Sequence, residues 1–127
     1  MHDSHTPRAE ERFASPVDVL SLKKEAAELG DTLRNSGRDH TQKTLYRCGG
    51  TTVAMFAIQA MKGLPPHAVD GVVTIQPIEG EVSVHAAGEN MKLRPGELLR
   101  MQPSVQHDVR AETPSIIVVH IARAHPA

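Results

Sequence analysis

Residues 71–96 read GVVTIQPIEGEVSVHAAGENMKLRPG. Gly71–Pro77 is rich in β-branched residues, and in Glu81–Ala86 the valines Val82 and Val84 alternate with polar positions. Glu89–Leu93 follows directly. Between these runs stand Gly80, Ala87-Gly88 and Pro95-Gly96, residues that reverse a chain. Short runs of two-residue periodicity separated by glycine-led turns are the pattern of antiparallel strands.

The pattern extends both ways. Upstream, Thr44–Cys48 and Thr51–Ala60 read as two strands joined through Gly49-Gly50, and Met61–Pro66 as a loop broken by Gly63 and Pro65-Pro66. Downstream, Leu98–Met101, Gln106–Ala111 and Ser115–Ala122 complete about eight strands, the pattern of an all-β barrel or sandwich. Ahead of the strands lies one helical signal. Ser15 suits a cap, Pro16 the first helical position and Asp18 the first turn. Leu22, Ala26, Leu29 and Leu33 then recur on one face, and Gly30 is a candidate early stop. The helix is expected to cover one end or edge of a sheet. The chain thus divides into a flexible tail (1–14), a helix and linker (15–40) and a barrel (41–123).

Composition narrows the function. With 14 Lys+Arg against 15 Asp+Glu, the net charge of -1 gives no pull toward nucleic acid or an anionic membrane. Phe13, Tyr46 and Phe56 are the only aromatics, too few for base stacking. Cys48 is the only cysteine, so no internal disulfide and no multi-cysteine metal site can form. The N-terminus does not read as a secretory signal, and the longest apolar run, Ile116–Val119, is far too short to span a bilayer. A cytoplasmic protein without nucleic-acid or membrane partners is the expectation.

Three segments, in order, resemble the cupin family. Gln76–Val82 resembles its strand-turn-strand, Leu93–Glu97 its Pro-Gly-acid turn, and Gln102–His107 its Pro-rich segment ending in His. The resemblance covers roughly residues 41–122. It implies an antiparallel jelly-roll barrel with a pocket at its core, often dimeric, hence an expected homodimer. Laid on the family pattern, two of four metal-ligand positions match, His67 and His107, while Val69 and Val73 stand where the second His and the Glu belong. Gln102, Ser104 and Ala111 replace the family's Pro, Gly and Asn, and Met61 its first Gly.

His67 and His107 are therefore the candidate metal ligands of a partial site for one divalent transition metal (Fe, Mn, Ni or Zn). A catalytic site usually needs three protein ligands and an open position. A third would have to come from Asp70, Gln76, His85 or His120, and no spacing selects among them. The plainer alternative is two polar residues at a pocket mouth, satisfied by hydrogen bonds. Alternation sets Val73 and Ile75 on one face, making the pocket wall more apolar and suiting a small, partly apolar ligand. His120 shares a face with Ile116 and Val118 and reads as a core histidine. His40 in the linker, and His2 and His5 in the tail, read as solvated. Cys48 lacks basic neighbours and reads as a structural thiol. Arg100 is expected outside and Met101 inside. The leading function is small-molecule binding in the barrel with no assignable reaction. The alternatives are a metal-dependent oxygenase or isomerase using His67 and His107, and an interaction module presenting the helix.

Overall fold

A computed structural model describes residues 16–123. His2, His5 and Ser15, with the expected tail, lie outside the described residues. The helix α1 spans Leu22–Arg34, later than the sequence pattern placed its start. Ser21 is the cap, its side chain accepting from the Lys24 backbone N–H at 3.2 Å. Pro16–Leu20 is not helical. Val17 and Val19 are 78% and 89% exposed, so a helix extended back through them would gain no buried stripe to offset its ordering cost. Gly30 does not end α1 either. The helix runs on because Leu33, one turn further, is buried with Ala26 and Leu29.

Nine strands follow: β1 (His40–Cys48), β2 (Thr51–Ile58), β3 (Gly63–His67), β4 (Val72–Glu79), β5 (Val82–Ala86), β6 (Glu89–Leu93), β7 (Leu99–Met101), β8 (His107–Ala111) and β9 (Ser115–Ala122). They form two antiparallel sheets, ordered β1-β2-β9-β4-β7 and β3-β8-β5-β6, the layout of a jelly-roll barrel.

Two segments differ from the sequence expectation. Met61–Pro66 is not all loop, because Gly63 opens β3. This strand sits at the edge of its sheet, where a proline's missing N–H leaves no ladder bond unmade. Gly63 is required there: a Cβ would lie 2.5 Å from the Val109 carbonyl oxygen. His40 is not a solvated linker residue. It opens β1 opposite Ile58 and is half-buried, with its Nδ1 shielded from solvent.

Apolar residues pack in two layers. Between the sheets lie Val73, Ile75, Val82, Val84, Val109, Ala111 and Ile117. On the outer face of the larger sheet, α1 buries Ala26, Leu29 and Leu33 against Leu45, Val53, Met55, Ala57, Ile116 and Val118. Each leucine so buried contributes roughly 1.5–3 kcal/mol. Covering β9 on both faces explains its unbroken run Ile116-Ile117-Val118-Val119, which one-sided burial would have turned into alternation. The Lys43 ammonium on β1 contacts the buried Glu25 carboxylate and lies 4.0 Å from Glu28, fastening helix to sheet.

Candidate functional site

His67 ends β3 and His107 begins β8, and the two are paired in the ladder. His107 shares a face with the interior residues Val109 and Ala111, which aims its ring between the sheets. The ring centroids of His67 and His107 are 4.5 Å apart with planes tilted by 54°. His107 is buried at 4% exposure, whereas His67 is exposed.

Each ring is anchored in the same way. His67 Nδ1 lies 3.4 Å from the Pro65 carbonyl oxygen, and His107 Nδ1 lies 3.2 Å from that of Val105. A carbonyl only accepts, so each bond is donated by Nδ1–H, and in a neutral ring held this way Nε2 is the acceptor. Burial holds the His107 pKa below its ordinary 6.5, and the neighbouring His67 adds to this. The Val105 carbonyl and Asp108 oppose it. His107 is therefore held toward the neutral form, with Nε2 as a hydrogen-bond acceptor.

Two loops frame the pair. Ser104 N–H donates to the Val69 carbonyl at 2.8 Å, tying the β7–β8 loop to the β3–β4 loop. Ser104 has φ of +67°, the left-handed conformation that the family pattern fills with glycine. Val69 and Val105, one from each loop, pack on the interior core. Val73, at the family's Glu position, is 3% exposed in that core. The wall is apolar where the family pattern would set ligands. A concave site of about 290 Å³ lies beside His107 at the end of the smaller sheet, bounded by Pro66, His85, Gln106 and Asp108, and with His85 in its lining it opens toward the outer face of that sheet. Between the sheets, Val82, Val84, Ala111 and Ile117 fill the middle of the barrel at 0% exposure.

None of the expected third ligands joins the pair. Asp70 is exposed in the loop. His85 projects from the outer face of β5, between Asn90 and Asp108 on the flanking strands, opposite in parity to Val82 and Val84. Gln76 lies beside Val118, and His120 beside Val53, on the face toward α1. Among the described residues, no group of three or more His, Cys, Asp or Glu is arranged to hold a metal ion. The residues present thus fall one short of a three-ligand catalytic metal site. Arg100 is exposed and Met101 buried, as alternation required. Cys48 is exposed. The anchoring carbonyls of Pro65 and Val105 and the Ser104–Val69 bond escaped sequence reading. Backbone groups carry no residue signature.

The sequence model of the AraC-like ligand binding domain matches residues 50–120. No curated protein matches the chain. Among solved structures, the protein TT1209 from Thermus thermophilus superposes with a TM-score of 0.69 at 22% identity, covering 84% of this chain and 99% of that one. A cupin superfamily protein from Desulfitobacterium hafniense gives 0.67 at 10% identity, covering 75% and 87%. An RmlC-like cupin from Shewanella frigidimarina gives 0.64 at 19% identity, covering 71% and 81%. At these identities the likeness is one of fold, and the fold is that of a small cupin.

Proposed function

The chain belongs to the AraC-like ligand binding domain family, and from that premise we propose that it binds a small molecule at the barrel mouth against His67 and His107, without turning it over. The observation that carries this reading is the imidazole pair, with both Nδ1 atoms at backbone carbonyls, so that Nε2 is the acceptor of each ring in its neutral form. Val73 belongs to the interior core at this end of the barrel and Val69 and Val105 pack on it, which makes the adjoining wall apolar. Acceptors on an apolar wall favour a neutral ligand carrying a hydroxyl or amide N–H on a compact aliphatic body. Among the described residues Phe56 is the one Phe, Tyr or Trp packed on this core, which disfavours ligands held by ring stacking.

The metal-dependent enzyme ranks second, because two imidazoles need a further ligand that the described residues do not bring to the pair. No part of the binding reading depends on a metal. We take the protein to act as a cytoplasmic homodimer without nucleic-acid or membrane partners. The lone exposed cysteine suits a reducing compartment, and the balanced charge supplies no attraction to polyanions. The outer edge of β1 has no strand partner among the described residues and is available to a second copy. No described helix is long and apolar enough to cross a membrane.

The test is a thermal-shift and calorimetry screen of small lactams, diols and hydroxy-ketones, run on wild type, His67→Ala and His107→Ala, with metal content measured on the same preparations. The expected result is a saturable stabiliser whose effect is lost in both variants and which is recovered chemically unchanged. A stabiliser equally effective in all three proteins would remove the histidines from the reading. Near-stoichiometric metal that disappears in both variants, or conversion of a bound compound, would overturn it in favour of the enzyme.

A further inference from the structure

A second and larger concave site lies outside the barrel. It is a groove of about 610 Å³ between α1 and the ends of β2, β4 and β9. From His107 to Ala111, the strand β8 runs about 13 Å to the barrel end where the chain turns into β9, so the groove and the imidazole pair stand at opposite ends. Its volume lies in the range of small-molecule sites.

The groove exists because the side chains of α1 here are short. Ala26, Ala27 and Gly30 lie opposite Ala57 and Ile116, leaving an apolar trough where longer residues would have closed the gap. The polar groups around it are biased in one direction. Gln59 spends an N–H on the Arg38 carbonyl at 2.7 Å, leaving its amide oxygen. Ser115 is buried, its hydroxyl turned to the carbonyls of Thr113 and Glu81, so it adds no acceptor to the rim. Glu79 is exposed and has no ion pair among the described residues. Among the described residues Arg34 is the one cation in the lining; its guanidinium lies over Gly30 and is engaged by Asp31 on the same helix. The rim therefore offers an amide oxygen and one uncompensated carboxylate.

We propose that this groove is a second ligand site, for a small amine whose aliphatic body lies along the Ala26–Gly30 face of α1 and whose ammonium is held by Glu79. An ammonium is a donor only, with three N–H groups, and matches a carboxylate with the amide oxygen of Gln59 in the same lining. Such a ligand contacts both helix and sheet and clamps α1 to the barrel from a position remote from the His67–His107 mouth.

The probe is n-hexylamine, compared with 1-hexanol and hexanoate, titrated into the full chain and followed by amide chemical shifts. Hexylamine is expected to produce saturable shifts at Ala27, Gly30, Ala57–Ala60 and Ser115, with little change at His107. Glu79→Gln should weaken its binding about tenfold. Ala27→Phe, at an exposed position, should fill the trough and abolish binding while leaving the melting temperature in place. Hexanoate or hexanol binding as tightly as hexylamine would overturn the proposal. So would shifts confined to the His107 mouth, an unchanged affinity in Glu79→Gln, or no saturable shift up to ~10 mM.

Discussion

His107 lies opposite His67 across the β3–β8 ladder, with ring centroids 4.5 Å apart, yet only His107 is buried. The asymmetry has a measurable consequence. The folded-state pKa of His107 is lowered from 6.5 by burial, and further by the neighbouring imidazole, so the unfolded chain binds more protons there than the folded one. This contribution to stability is fully present above 6.5 and is lost as pH falls through the lowered folded pKa. His107→Asn should flatten that part of the stability curve below pH 6.5. Denaturant melts of both proteins across the window, beside the ring-proton titration of His107, check it. An unchanged slope in the variant would assign the effect to other groups.

The Lys43–Glu25 contact should behave as a partly buried ion pair. Lys43→Met leaves a carboxylate with 5% side-chain exposure without that cation. We expect a loss of about 2 kcal/mol, below the ~3–5 kcal/mol of a wholly buried pair, because Lys43 keeps some solvent contact. Glu25→Leu combined with Lys43→Met should recover most of it. Urea melts of the two single variants and the double variant provide the cycle.

Ala87 and Gly88 turn β5 into β6 with φ of +52° and +76°. Two consecutive left-handed residues make the hairpin turn that prefers Asn-Gly. Ala87→Asn should therefore stabilise the protein by roughly 0.5–1 kcal/mol. Calorimetry should record a higher melting temperature, with amide shifts unchanged beyond the turn.

Gly63→Ala should separate the edge strand from its partner, because the new methyl meets the Val109 carbonyl. Crowding of this kind costs about 1–3 kcal/mol. The specific signature is local: faster hydrogen exchange along β3 and loss of the ring contact of His67 with His107, while β4 and β9 remain protected. Uniform loss of protection would instead mean that β3 is integral to the global fold.

The barrel was legible because turn chemistry is local. Gly80 has φ of +79°, and a Cβ there would sit 2.3 Å from the Pro114 carbonyl oxygen, so its place in the sequence marks an obligatory turn. His107 was legible through the same ordered turns. The strand β3 was hidden because Pro65-Pro66 reads as a breaker unless the strand is known to be an edge, which is a property of the assembled sheet. The helix start was misplaced because Ser15-Pro16 and Ser21 are both reasonable caps, and only burial from Leu22 onward decides between them. The outward aim of Gln76 and His120 could not be settled before it was known that α1 covers that side of the sheet.

The family match begins at residue 50, so it excludes α1 and all of β1. Yet α1 lies over Val53, Met55, Ala57, Ile116 and Val118, all of them within the matched region. A protein trimmed to the shared barrel would turn a sheet built for two covered faces into one with an oily, solvent-facing wall. Such a fragment would self-associate on that wall. The helix is therefore the cover of that wall, and the matched region alone does not contain the residues that shield it from solvent.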